Sequence, residues 1–147
     1  MDILKIQKLD PKAIAPVKAT IGSACFDLHA LLEEAYVLQP GDHHLFHTGL
    51  SIEMPTDDCV CLLFSRSGMG VKHGVTLSNS VGVIDSDYRG ELCVALVNHG
   101  DEPYTVEPED RIAQMMVIKT IPLEIAVVEA LNETERGTGG FGSTGSK

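Results

Sequence analysis

The stretch Gly82-Val83-Ile84-Asp85-Ser86-Asp87-Tyr88-Arg89-Gly90-Glu91-Leu92-Cys93-Val94-Ala95-Leu96-Val97 decides the fold class. It opens on a short β-branched run, crosses a polar segment and closes on a second apolar run. Ser86, Asp87 and Gly90 are turn formers, so the order predicts strand, turn, strand, in the manner of a hairpin. The second run is apolar at both parities, and such a strand has to be covered on both faces. An inner strand of a sandwich meets that need, and so does a strand with one face against another subunit.

Outward from this stretch the same grammar repeats. Short apolar runs stand at 36–38, 50–53, 59–64, 112–118 and 123–128, separated by turn signals such as Pro40-Gly41-Asp42 and Asn98-His99-Gly100-Asp101. Fourteen Gly and seven Pro punctuate the chain, and the longest gaps between them, 23–39 and 123–136, leave little room for long helices. Many short strands with regular turns argue for an all-β sandwich or barrel. Residues 30–35 are rich in helix formers and read either way. The run at 123–128 reads as a strand from Ile125, Val127 and Val128.

The chain has 147 residues, enough for one core and one domain. Its formal charge of −10 excludes a basic nucleic-acid footprint. The longest stretch free of Asp, Glu, Lys and Arg is the twelve residues 73–84. A membrane span needs about 20 apolar residues, so none is expected. The opening Met1-Asp2-Ile3-Leu4-Lys5 lacks a secretory pattern, which points to the cytoplasm. Cys25, Cys59, Cys61 and Cys93 form no C-x-x-C pair and read as reduced, buried thiols. His43, His44 and His47 follow a turn and fall on a strand edge, with no acidic or Cys partner near them in sequence to complete a metal site.

Two segments carry chemistry. In 137–145 five of nine residues are Gly, with Arg136 before them and one aromatic, Phe141, among them. Glycines let backbone N–H groups converge on an anion, and Ser143 and Thr144 add hydroxyl donors. The pattern falls short of a P-loop, because Ser143 stands where Lys is required and no helix can follow. A Gly/Ser tail is the plain reading; a lid that stacks Phe141 on a base and grips phosphate with Arg136 is the sharper one. In the 82–97 stretch, Asp85 and Tyr88 serve either as turn residues or as a proton-accepting carboxylate and a flat wall for a sugar.

Five segments in order resemble the five motifs of the trimeric dUTPase family: Ser23-Ala24-Cys25-Phe26-Asp27-Leu28; Ser65-Arg66-Ser67-Gly68-Met69-Gly70; Gly82 to Glu91; Asp110-Arg111-Ile112-Ala113-Gln114; and Arg136 to Gly145. The resemblance implies a jelly-roll β fold, a homotrimer with active sites at subunit interfaces, Mg²⁺, and hydrolysis of dUTP to dUMP and pyrophosphate. Such an activity limits uracil in DNA and supplies dUMP for dTMP synthesis. It assigns residues 1–135 to the β domain and 136–147 to a flexible arm that closes on substrate. It implies that Asp85 activates the attacking water and that Tyr88 packs under the deoxyribose. Asn79 and the backbone around Val83, Ile84 and Cys93 would read uracil. Arg66, Ser67, Gly68 and Gln114 would hold phosphate oxygens. Arg136, Gly142, Ser143 and Thr144 would close on the outer phosphates with Phe141 on the base, and Asp27 would touch the metal through water. Three positions depart from the family pattern. Glu109 stands where Gly is usual, Cys25 where Gly is frequent, and Gly70 where Ala is frequent. Arg111, flanked by Glu109 and Asp110, reads as a structural ion-pair residue. A dCTP deaminase and a non-catalytic nucleotide-binding module of the same fold are the rival readings.

Overall fold

The structure is a computed structural model and describes residues 2–140. Eleven strands and one short helix follow in the order β1 (Lys5–Lys8), β2 (Phe26–His29), β3 (Tyr36–Leu38), β4 (His43–His47), β5 (Leu50–Glu53), β6 (Cys59–Phe64), α1 (Ser67–His73), β7 (Val75–Leu77), β8 (Gly82–Ile84), β9 (Cys93–Asn98), β10 (Tyr104–Val106) and β11 (Arg111–Lys119). One sheet runs β2-β11-β6-β8 and another β4-β9-β7, with smaller pairs β1-β5 and β10-β3. Neighbours in a sheet are mostly distant in sequence, as in a jelly roll, and the all-β expectation holds.

Side-chain alternation builds the core. In β6, Cys59, Cys61 and Leu63 point inward while Val60, Leu62 and Phe64 are half-buried. In β9, Val94, Leu96 and Asn98 are inward. Both sheets feed one cluster that includes Leu28, Phe46, Leu63, Val94, Leu96 and Met115. All four cysteines are free, two of them buried and two half-buried. Burial pushes the Cys61 thiol up to about 11, so it stays protonated and packs as a small hydrophobe.

Two expectations are corrected, and one open reading is decided. The runs at 82–84 and 93–97 do not form a hairpin, because β8 pairs with β6 whereas β9 pairs with β4 and β7. The segment between them crosses from one sheet to the other. Its far end is anchored where Ser51 Oγ donates to the Arg89 carbonyl at 2.7 Å and the Leu92 N–H donates to the Leu50 carbonyl at 2.7 Å. Residues 30–35 form no helix; the N–H groups of Ala30 and Leu31 donate to the Asp110 and His47 carbonyls, which draws the backbone out of a helical path. The run 123–128 forms no strand, although its pattern is that of one. Ile121, Leu123, Ile125 and Val127 alternate along it and are 80–97% exposed, and its backbone has no ladder partner among the described residues.

A buried corner fixes the end of β9. Asn98 Nδ2 donates to the carbonyls of Leu38 (3.0 Å) and Glu102 (2.8 Å), and its Oδ1 accepts from the Gly100 N–H (2.8 Å). Gly74 ends α1 at φ +70, where a Cβ would lie 2.7 Å from the Gly100 nitrogen.

The turn before β11 explains one departure in the sequence. Glu109 adopts φ +67, the left-handed region that glycine enters freely. A side chain there costs ~1–2 kcal/mol. Glycine would recover that at ~0.5–1 kcal/mol of chain entropy. We expect Glu109→Gly to raise stability by roughly 0.5–1 kcal/mol. Chemical denaturation measures it, and a destabilised variant would show that the Glu109 side chain contributes more than its strain removes.

Candidate active site

One polar cavity of about 480 Å³ is lined by Ser23, Cys25, Asp27, Arg66, Ser67, Gly68, Arg111 and Gln114, among others. The sheet brings these residues together. Gln114 of β11 pairs with Asp27 of β2 on one side and with Phe64 of β6 on the other, and β6 leads directly into Arg66. Asp27 sits at the centre. Its Oδ1 accepts from Arg66 Nε at 3.1 Å and its Oδ2 from Arg111 Nη1 at 3.2 Å. Arg66 Nη1 also donates to the Arg111 carbonyl at 3.2 Å. Gln114 Nε2 donates to the Ser65 carbonyl at 2.9 Å, and Ser65 Oγ accepts the Leu77 N–H at 2.8 Å. Two guanidiniums share one carboxylate, so the cavity keeps a net positive charge and unspent N–H donors suited to a phosphate.

His29, on the same strand as Asp27, reinforces that balance. Its Nδ1 is buried without a hydrogen-bond partner. Burial pushes the imidazole below its usual range; Asp27 opposes the shift, and Arg111 and Arg66 reinforce it. His29 is therefore a neutral neighbour at pH 7.

A second, smaller cavity of about 160 Å³ is lined by Leu45, Leu63, Leu77, Asn79, Gly82, Val83, Ile84, Cys93 and Ala95. Its walls are apolar side chains and strand backbone, with Asn79 as the polar group. Gly82 packs closely there: a Cβ would lie 3.0 Å from that of Leu63, and the Leu63 side chain would have to give by a few tenths of an ångström. Asp85 and Tyr88 line neither cavity. They are exposed on the crossing segment, where the Tyr88 N–H donates to the Asp85 carbonyl at 3.2 Å and Tyr88 Oη donates to the Glu91 carbonyl at 3.1 Å. The Tyr88 ring covers Gly90, where a Cβ would lie 2.3 Å from the phenol oxygen. Arg136 is exposed on a turn, its Nε donating to the Gly139 carbonyl at 2.9 Å. Phe141, Gly142, Ser143 and Thr144 lie outside the described residues.

The structure thus gathers Asp27, Arg66, Ser67, Gly68 and Gln114 in one place and Asn79, Val83, Ile84 and Cys93 in another. Arg111 was read as an ion-pair residue beside Glu109 and Asp110. It is one, but its partner is Asp27, 84 residues away, and it lines the polar cavity. Its place inside the fourth motif was the available signal. The histidines likewise gain partners that sequence distance hid. His44 stacks on Tyr36 with ring centroids 3.9 Å apart, and His47 Nδ1 lies 2.8 Å from Glu91 Oε2.

An arginine-lined anion cavity and a small cavity walled by strand backbone, on an all-β frame, define a nucleotide-handling β protein. The sequence profile described as dUTPase matches residues 11–145. A deoxyuridine 5'-triphosphate nucleotidohydrolase of Neisseria meningitidis is 51% identical over 133 residues, covering 90% of this chain and 89% of that protein. One of Pseudomonas putida is 46% identical over 150 residues, covering 99% of each. The dUTPase of Staphylococcus bacteriophage 80alpha, solved with dUPNHPP, matches the fold with a TM-score of 0.88 at 25% identity, covering 99% of each chain. The chain belongs to the dUTPase family.

Asp27→Asn tests the central pairing. The variant keeps the shape and loses the charge that aligns Arg66 and Arg111. We expect about a tenfold fall in kcat/KM, mostly through KM, equivalent to ~1.4 kcal/mol. Unchanged steady-state kinetics would remove Asp27 from the positioning of the arginines.

Proposed function

We propose that this chain hydrolyses dUTP to dUMP and pyrophosphate, and that three copies assemble to do so. The observation that carries the reading is the division of the motif residues within one chain. The arginine cavity and the backbone-walled cavity are separate, and Asp85, next to Ile84 of the small cavity, lines neither. A second copy that presents its Asp85 and small cavity to the arginine cavity of the first would complete a nucleotide site, consistent with the family the chain belongs to. The exposed alternating row Ile121, Leu123, Ile125 and Val127 supplies the reason for copies to meet, since an apolar strand pattern without a partner is stabilised by pairing on another chain.

In that assembly Asn79 and the backbone of Val83, Ile84 and Cys93 read the base. Buried donors and acceptors left unpaired by cytosine would reject it. Tyr88 packs against the sugar. Arg66, Ser67, Gly68 and Gln114 hold phosphate oxygens, and Arg111 joins them. Asp85 orients a water and accepts its proton as the water oxygen bonds to the α-phosphorus. The bond from that phosphorus to the bridging oxygen breaks, and pyrophosphate leaves. A carboxylate is a weak base for water, so positioning and charge stabilisation by the arginines supply most of the rate. Residues 136–147, with Arg136, Phe141, Gly142, Ser143 and Thr144, close over the bound nucleotide as a segment separate from the 1–135 domain.

The residues present fit Mg²⁺ that arrives on the triphosphate. Both oxygens of Asp27 are engaged by guanidiniums, which leaves it only a water-mediated role. Mg²⁺ retains several waters and suits phosphate-bound coordination. Bound there, it would neutralise charge on the phosphates. Free cysteines agree with a reducing, cytoplasmic setting. No helix among the described residues is long and apolar enough to cross a membrane.

Incubating the protein with each dNTP and UTP plus Mg²⁺ and measuring pyrophosphate tests the reading. Selective release from dUTP supports it, whereas ammonia from dCTP would transfer the chain to the deaminase reading. Asp85→Asn should lower turnover by ~10²–10⁴ while nucleotide still binds. Full turnover would remove Asp85 from the mechanism. Ile125→Asp places a charge in the apolar row. We expect it to shift sedimentation from trimer to monomer and to abolish most activity, and a trimeric, active variant would show that the row is not the contact.

A further inference from the structure

Three ligand-bearing side chains converge on one face of the β4–β9 ladder. His47 and Cys93 are direct partners in the register, and Glu91 precedes Cys93 by two residues. His47 Nδ1 is 2.8 Å from Glu91 Oε2 and 3.7 Å from Cys93 Sγ, and the three ligand atoms lie within 4.8 Å of one another. Among the described residues this is the one group of three or more His, Cys, Asp and Glu gathered closely enough to share an ion. The second carboxylate oxygen, Glu91 Oε1, accepts the Gly49 N–H at 2.7 Å. That bond fixes the carboxylate and leaves Oε2 facing the cluster, the kind of support that orients a metal ligand.

Coordination geometry can be compared directly. Bonds of about 2.0–2.3 Å in a tetrahedron separate neighbouring ligand atoms by roughly 3.3–3.8 Å. The Nδ1–Sγ distance of 3.7 Å already falls in that window. The Nδ1–Oε2 contact of 2.8 Å is a hydrogen bond and opens by about half an ångström once an ion replaces the shared proton. The side chain of His47 is 60% exposed and that of Glu91 25%, so an ion can enter from solvent. We propose that His47, Glu91 and Cys93 form a site for a zinc-class divalent cation, with the fourth position open to water. A thiolate and an imidazole select a borderline-soft ion of this kind, whereas Mg²⁺ prefers an all-oxygen shell. The site is therefore distinct in chemistry from the cation that accompanies a triphosphate.

A thiol holds a zinc-class ion only as the thiolate, so binding has to displace its proton. On binding, the Cys93 S–H bond breaks, a sulfur–metal bond forms and the proton passes to buffer. Cys93 also lines the small cavity, so the ion would sit beside the strand that walls it.

The test uses the full-length protein stripped with a chelator and dialysed. Zn²⁺ is titrated against a chromophoric competitor, and Co²⁺ serves as a spectroscopic probe. The expected result is one equivalent of Zn²⁺ per chain, not displaced by equal Mg²⁺, and a thiolate-to-cobalt charge-transfer band. His47→Ala and the milder His47→Gln should each weaken Zn²⁺ binding by ~100-fold or more, Cys93→Ser should abolish the cobalt band, and His43→Ala should change neither. Far-UV circular dichroism confirms that each variant is folded. Equal Zn²⁺ uptake by the parent and both His47 variants, or cobalt bound without a thiolate band, overturns the proposal and leaves an ordinary His47–Glu91 ion pair.

Discussion

Everything around the polar cavity depends on one carboxylate held between two guanidiniums. Asp27 joins strand β2 to the start of α1 through Arg66 and to the head of β11 through Arg111. Without it, two like charges would face each other at the edge of the core. With it, they are aligned and still carry one net positive charge, which is how a chain of formal charge −10 keeps a place for a polyanion. The Arg66–Asp27 half of the pairing is part-buried and is screened less than the more exposed Arg111–Asp27 half. His29 contributes by remaining uncharged, since burial disfavours a third positive group beside the pair.

In the proposed assembly the same cavity is half of a site: Asn79, Val83, Ile84 and Cys93 line a separate cavity, and Asp85 is exposed on the crossing segment. The exposed apolar row in 121–127 fits this incompleteness: the chain is built with a strand pattern that its own sheets do not receive. Both features are satisfied at once by association of copies, which is why the proposed activity and the proposed assembly are one hypothesis.

Much of this was legible in the sequence, because period-two alternation and turn residues are local signals. Runs such as 59–64 and 112–118 became β6 and β11. The residues that line the polar cavity could be named together because their motifs are contiguous, as in Ser65 to Gly70. Pairing was not legible. The 82–97 stretch looks like a hairpin by every local rule, yet its two strands serve different sheets, since Leu92 has a buried place against β5 that a tight turn would forfeit. Residues 123–128 were read as a strand from their β-branched content and form none, because a strand exists only where a partner does. The partners of Arg111 and His47 were hidden for the same reason: Asp27 and the Glu91–Cys93 pair lie more than forty residues away. The left-handed turn at Glu109 was signalled, by contrast, because a non-glycine residue stood where the family uses glycine.

The open row at 121–127 has a bearing on the life of a newly made chain. A solitary copy carries an exposed apolar row of strand pattern, the usual starting point for unwanted clumping. Its strong acidity works against that outcome, because copies that collide at random repel one another within the ~8 Å reach of unscreened charge. In the proposed assembly only an encounter that seats the whole row would outlast the repulsion, and the surplus of acids, of no help in holding a triphosphate, would act as a kinetic filter that favours the correct mate over the nearest one.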